Sequence, residues 1–293
     1  PSPAVAQALR SFDISSLRLY SDPFSKAFRK AAADVLDVPE DWILAGNGSD
    51  DLLAMIVLAC LAPGRKVVYP SPTYVLYRTL AQMQDCDIVE VPFDDDYNLP
   101  VGELISAGGA VTFVARPNSP SGTVIPPQCV LEFARRLPCP LLVDEAYADF
   151  AETNCLDLVA EEEKILVSRT LSKSYGLAGL RFGYVVGQPR MIEQLAKVKD
   201  SYNCDALAIA GAAAAITDRD WLAENRAKIL ATRASLVEGM RRLGFITVDS
   251  QANFTWNVHP ERPAQPLYQG LKQRGILVRY MNYPGWGDGL RIS

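Results

Sequence analysis

Lys173 lies in Ser168-Arg-Thr-Leu-Ser-Lys-Ser174, among the hydroxyls of Thr170, Ser172 and Ser174, and Arg181 follows eight residues later across a Gly-Leu-Ala-Gly turn. An amine forms a Schiff base with an aldehyde, while hydroxyls and a guanidinium hold phosphate. The pairing therefore suits a phosphorylated aldehyde. A single lysine is ordinarily a surface residue, but that reading leaves the hydroxyls, glycines and arginine unexplained.

Four other segments carry chemistry. Ala45-Gly-Asn-Gly-Ser-Asp-Asp51 precedes an apolar run, so its glycines and Ser49 expose backbone N–H groups of a helix start to an anion. It is not a P-loop, because no Gly-Lys-Ser/Thr follows, and Asp51 occupies the third-glycine position of a dinucleotide fingerprint. Pro70-Ser-Pro-Thr-Tyr74 offers the Tyr74 ring to a planar ligand. Arg116-Pro-Asn-Ser-Pro-Ser-Gly122 offers the amide of Asn118 on a rigid turn. Leu141-Leu-Val-Asp-Glu-Ala-Tyr147 ends an apolar strand on Asp144, a carboxylate that is costly there without a partner. A protonated heterocyclic nitrogen is such a partner, and Tyr147 is placed to meet a ring hydroxyl. Singly these read as a capped helix, a core tyrosine, a proline turn and a strand-end cap. Together they meet the needs of pyridoxal phosphate.

The elements that must position these groups follow from apolar runs ending in polar turns. Strands are expected over 65–69, 87–91, 110–115, 140–144, 164–168 and 182–187, with helices over 50–61, 74–85 and 127–137. That alternation implies a mostly parallel sheet covered on both faces, with ligands at the carboxyl ends of the strands. After Gly187 the pattern changes to helices over 191–215 and 221–243 and short strands at 245–248 and 275–279. The expected organisation is a large cofactor-binding domain over 21–215, and a small α/β domain formed by 1–20, as an N-terminal arm, with 216–293.

Composition sets the limits. The chain has 293 residues, 49% hydrophobic and 22% charged, with a net charge of -5. These values suit a globular protein with no general attraction to nucleic acid or anionic membranes. No apolar stretch is long enough to span a bilayer. The six cysteines are irregularly spaced, as expected of reduced thiols in a cytoplasmic protein. His259 is the single histidine and lies in a proline-rich loop, so multi-histidine metal sites are excluded and no metal is expected. Acid–base work falls to lysine, tyrosine or carboxylate.

In order along the chain, Gly-Asn-Gly-Ser-Asp, Tyr-Pro-Ser-Pro-Thr-Tyr, Pro-Asn-Ser-Pro-Ser-Gly, Val-Asp-Glu-Ala-Tyr, Arg-Thr-Leu-Ser-Lys-Ser-Tyr, Leu-Ala-Gly-Leu-Arg-Phe-Gly and Gly-Leu-Arg-Ile-Ser resemble the fold-type I, class I/II aminotransferases, and within them the histidinol-phosphate branch. The resemblance implies the aspartate aminotransferase-like fold and pyridoxal phosphate as cofactor. It implies that Lys173 holds the cofactor and moves the proton, that Asp144 keeps the pyridine nitrogen protonated, and that Tyr74 stacks on the ring. Tyr147 meets ring O3′, with Asn118 nearby; Ser119 stands where the family usually has Asn or a small residue, so either side chain is a candidate for O3′. The Ser49 and Asp50 backbone, with Thr170, Ser172 and Arg181, holds the phosphate. Arg291, helped by Arg279, grips the anionic group of the substrate. Tyr20 matches a tyrosine that reaches the neighbouring subunit's cofactor, which implies a homodimer with composite sites. Relatives carry an Asn-Glu-Asn-Pro segment ahead of the position of Pro1 and continue past that of Ser293. The implied reaction transfers the amino group of histidinol phosphate to 2-oxoglutarate. The alternatives are an aromatic amino-acid aminotransferase, a threonine-phosphate decarboxylase, or a cofactor-binding transcription regulator, the last disfavoured by the lack of a basic segment.

Overall fold

The computed structural model describes residues 1–293. Seven strands form one sheet: β1 (Ile43–Gly46), β2 (Lys66–Ser71), β3 (Asp87–Pro92), β4 (Val111–Ala115), β5 (Leu141–Asp144), β6 (Ile165–Thr170) and β7 (Gly183–Val186). Their order is β1-β7-β6-β5-β4-β2-β3. From β3 through β6 the pairing is parallel, and only β7 runs against both of its neighbours. Every residue of β4, β5 and β6 is buried, which explains the apolar runs that open β5 and β6 and the largely apolar β4.

Both faces of this sheet are covered. On one side α3 (Ser49–Cys60) and α4 (Leu76–Met83) pack around Leu52, Tyr77 and Phe113. On the other, α2 (Lys26–Leu36), α6 (Pro127–Arg136) and α9 (Ala206–Thr217) enclose Phe28, Phe133 and Phe182. The alanines of α9 permit close approach, and a Cβ added at Gly211 would meet Leu180 at 2.7 Å. The N-terminal helix α1 (Pro3–Arg10) also packs against α9. The expected arm therefore lies on the seven-stranded layer. Short helices α5 (Val101–Ser106) and α7 (Leu158–Glu161) complete the crossovers, and α8 (Pro189–Val198) packs against α3.

From α9 the 24-residue helix α10 (Arg219–Arg242) leads to a second sheet. Its strands are β8 (Ile246–Thr247), β9 (Thr255–Val258), β10 (Arg279–Tyr283) and β11 (Gly287–Ile292), antiparallel in the order β10-β11-β9-β8, with α11 (Ala264–Gln273) against them. Phe254, Trp256 and Leu290 are its buried anchors.

Three expectations are corrected. The helix expected over 191–215 is two helices, because 199–205 leaves helical geometry: Asp205 caps α9 by accepting from Ala208 N–H at 2.7 Å, and Asn203 donates to Ala45 O at 3.1 Å and to Asp51 at 3.0 Å. These local polar bonds outcompete a continuous helix. The strand expected at 275–279 begins instead at Arg279, leaving Leu277 81% exposed. Finally β1, β9 and β11 were not anticipated. In β11, Gly287-Asp-Gly has low strand propensity, yet Gly289 is needed there: a Cβ would meet the Trp256 ring at 2.6 Å.

At the end of the central strands lies a buried ionic network. Glu145, following β5, bonds Arg116 at 3.3 Å and Arg169 at 2.8 Å, and Arg169 continues to Asp149 at 2.9 Å. Neither Arg116 nor Glu145 exposes any side-chain surface. Removing the central carboxylate leaves Arg116 with no carboxylate partner and Arg169 with Asp149 alone, so Glu145→Ala should lower the unfolding free energy by about 3–5 kcal/mol. Urea unfolding followed by circular dichroism checks this, and a loss under ~1 kcal/mol would show that the network is not needed for the fold.

Candidate active site

The carboxyl ends of β1, β2, β4, β5 and β6 converge on a cavity of about 190 Å³. Because β7 is antiparallel, its amino end meets the same edge, and this is what delivers Arg181. Ser49, Asp50, Tyr74, Asp144, Tyr147, Thr170, Ser172, Lys173, Arg181, Arg279 and Arg291 all line the cavity. Those expected residues, drawn from positions 49 to 291, thus meet in one place.

At one end is a cradle for an anion. The first turn of α3 has no side-chain cap, and Gly48 before it adopts φ 82°. The unpaired N–H groups of that turn, with the helix dipole, favour negative charge. Thr170 and Ser172 share a hydroxyl hydrogen bond of 3.0 Å beside it. Arg181 takes the left-handed conformation, φ 53° and ψ 63°, a strain of roughly 1–3 kcal/mol for a non-glycine residue. Its guanidinium pairs with Asp50 at 3.3 Å. Side chains larger than hydrogen are barred at two points. A Cβ at Gly48 would meet Arg181 Nη2 at 2.5 Å, and one at Gly183 would meet Ser49 N at 2.7 Å.

The middle of the cavity holds the acid–base groups. Lys173 is half-buried, with Nζ 5.2 Å from the centroid of the Tyr147 ring. Asp144 is 5% exposed and accepts from Tyr77 Oη at 2.7 Å, Ser168 Oγ at 3.2 Å and Ala146 N–H at 3.2 Å. Burial pushes its carboxyl above the ordinary range, and these hydrogen bonds pull the other way. Alternation along β6 explains the sides: Ser168 reaches Asp144 and Thr170 lines the cavity, while Arg169 points away to Glu145. The Tyr74 phenol reaches Asp50 at 3.3 Å and is pushed up to about 12, first by burial and then by Asp50, so it stays a neutral donor.

At the far end Arg279 and Arg291 face each other directly across β10 and β11. Like charges in that register repel, and an anion between them would relieve it. Arg291 donates to Ser119 Oγ at 2.8 Å and lies 4.7 Å over the Phe254 ring. Its Nε is buried and without a partner.

Two expected residues are not in the cavity. The Asn118 amide is consumed in tying its turn to the one after β2, donating to Pro72 O at 3.0 Å and Ser121 Oγ at 3.1 Å and accepting from Thr73 at 2.9 Å. Ser119 lines the wall in its place. Tyr20 is 83% exposed and stacks on Tyr202 with centroids 4.4 Å apart. Conversely, Tyr77, Ser168 and Phe254 contact the site without having been anticipated as functional. For Ser168 there was a signal: it lies two residues before Thr170 on the same strand face.

A phosphate cradle, an amine, a buried carboxylate and paired arginines on a doubly covered sheet define a cofactor-dependent group-transfer enzyme. The family model "Aminotransferase class I and II" matches residues 1–293, and the chain belongs to that family. It is 52% identical over 293 residues to "Histidinol-phosphate aminotransferase 1" of Trichormus variabilis, covering 100% of this chain and 84% of that one. It is 50% identical over 297 residues to the histidinol-phosphate aminotransferase of Rhodopirellula baltica, covering 100% and 82%. The crystal structure of histidinol-phosphate aminotransferase from Sinorhizobium meliloti in complex with pyridoxal-5′-phosphate superposes with a TM-score of 0.94 at 27% identity, covering 100% of this chain and 83% of that one. The fold is accordingly the aspartate aminotransferase-like α/β fold.

Arg181→Gln should weaken binding of inorganic phosphate to the protein by about 10- to 100-fold, the weight of a hydrogen bond to a charged group. Isothermal titration calorimetry checks it, and unchanged affinity would place the anion elsewhere.

Proposed function

We propose that this aminotransferase binds pyridoxal phosphate and transfers the amino group of histidinol phosphate to 2-oxoglutarate. The observation that carries the reading is the placement of Lys173 and Asp144 at the ends of adjacent strands, in one cavity with the Arg181 cradle. The donor set fits the cofactor: an uncapped helix start, two hydroxyls and an arginine suit a phosphate, and a buried carboxylate suits a protonated ring nitrogen. When bound, pyridoxal phosphate supplies an aldehyde for the amino group and a ring that withdraws electrons from the attached carbon.

The chain's own residues then divide the work. Lys173 Nζ is the nucleophile that anchors the aldehyde and the base that takes the proton from the donor's Cα. Asp144 would hold the proton on the ring nitrogen, Tyr74 would stack on the ring, and Tyr147 would donate to its hydroxyl oxygen. The Ser49 and Asp50 N–H groups, Thr170, Ser172 and Arg181 bind the phosphate. Arg291 Nε, buried and unpaired, and Arg279 opposite it suit the anionic group of the donor or acceptor. Residues 21–215 carry the cofactor in this reading, and 216–293 bring the arginines.

The same reading makes the active unit a homodimer with composite sites, Tyr20 reaching the partner's cofactor. It is supported by an exposed apolar surface that includes Ile14, Leu19, Tyr20 and Phe24. No helix is long and apolar enough to cross a membrane, and we place the enzyme in the cytoplasm.

Adding histidinol phosphate to the purified, cofactor-loaded protein should bleach the visible cofactor absorbance and, with 2-oxoglutarate, form glutamate. Lys173→Ala should lower kcat by at least about 10²–10⁴-fold, the range of acid–base catalysis alone. Turnover of phenylalanine without histidinol phosphate would assign a different donor, carbon dioxide release would assign a decarboxylase, and full activity of Lys173→Ala would sink the mechanism.

A further inference from the structure

Asp144 makes no ion pair with the groups around it. Asp50 approaches from the start of α3, Tyr74 from the segment before α4, Tyr147 from the turn after β5, and Lys173 from the turn after β6. Arg116 and Arg169 are engaged by Glu145, outside the cavity. What the carboxylate receives instead is hydrogen bonds, and the shortest comes from Tyr77, at 2.7 Å to Oδ2. Ser168 and the Ala146 N–H share Oδ1 at 3.2 Å.

Tyr77 is fully buried on α4, outside the cavity wall. Its ring is held edge-on by Phe113 at 5.0 Å, Tyr69 at 5.6 Å and Tyr74 at 5.7 Å. Burial and the neighbouring Asp144 push its phenol well above the ordinary value, so it remains a donor. A phenol this firmly packed cannot turn away from the carboxylate. Tyr77 and Ser168 hold it in one orientation, with its remaining lone pairs toward the cavity.

We propose that Tyr77 is a positioning residue that keeps Asp144 ionised and aimed into the cavity, so that a protonated aromatic nitrogen is selected there. The proposal rests on the pyridoxal phosphate reading and adds to it a residue that touches neither cofactor nor substrate. Removing the hydroxyl leaves burial and Asp50 to oppose the charge, so the carboxyl must titrate at higher pH. Binding that needs the carboxylate is lost as pH falls through that titration. Losing Tyr77 therefore moves the loss to higher pH.

The test is the affinity of the cofactor-free protein for pyridoxal phosphate as a function of pH, by equilibrium titration, for wild type, Tyr77→Phe and Tyr69→Phe. Phenylalanine keeps the ring contacts of Tyr77. Tyr69 is the control, because its hydroxyl donates to Glu90 at 2.8 Å and not to Asp144. The acid limb of the affinity profile should move up by about one to two pH units in Tyr77→Phe, the equivalent of one hydrogen bond to a charged group. It should not move in Tyr69→Phe. Coincident profiles for wild type and Tyr77→Phe would overturn the role of Tyr77 alone, whereas a wild type that does not bind pyridoxal phosphate would overturn the proposed cofactor and this role together. Should Tyr77→Phe not fold, 3-fluorotyrosine placed at position 77 keeps the ring and makes the phenol a stronger donor. The acid limb should then move to lower pH, and an unmoved limb would contradict the proposal.

Discussion

Two adjacent carboxylates leave the end of one buried strand in opposite directions, and the rest of the site is arranged around the cost of keeping both. Glu145 turns away and is neutralised by two buried arginines. Asp144 faces the cavity and receives only hydrogen bonds. A buried charge without a counterion is expensive, so Asp144 is stored demand for a cation. In the proposed reading a protonated ring nitrogen meets that demand, and Lys173, in the turn after the neighbouring strand, keeps the ring in place. Glu145 and its arginines make the edge rigid enough for this: Arg169 is in the strand that leads to Lys173, and its partner Asp149 also accepts from Ser174 Oγ.

Sheet topology does the gathering. Parallel strands put their carboxyl ends, and the turns that follow, on one edge. The reversed strand β7 adds the residue that precedes it, so Arg181 arrives from the opposite chain direction. The second sheet contributes from outside that edge, with Arg279 and Arg291 in direct register. In the proposed reading, anion binding at the two ends thus rests on different principles: a helix start, hydroxyls and Arg181 at one end, a repelling arginine pair at the other.

The convergence of these residues on one cavity was legible in the sequence where a strand meets a polar turn. Asp144 closes β5, Tyr147 and Lys173 lie in the turns after β5 and β6, and Arg181 lies in the turn before β7. Legibility failed where tertiary packing decides. Asn118 and Ser119 are neighbours in one proline-rich turn, and the shape of the turn sends Ser119 inward while Asn118 ties it to the turn after β2. Tyr77 reads as a core aromatic on an amphipathic helix, and its single oxygen has no sequence signature. The large sheet followed from apolar runs, except β1. The second sheet was half hidden, because β11 carries a glycine, Gly289, demanded by the Trp256 ring rather than by strand propensity.

The central claim is that Lys173 is the amine that holds the cofactor. Protein reconstituted with pyridoxal phosphate, reduced with borohydride and digested, should yield one modified peptide, with the pyridoxyl group on Lys173. Modification of a different lysine, or of none, would contradict the account.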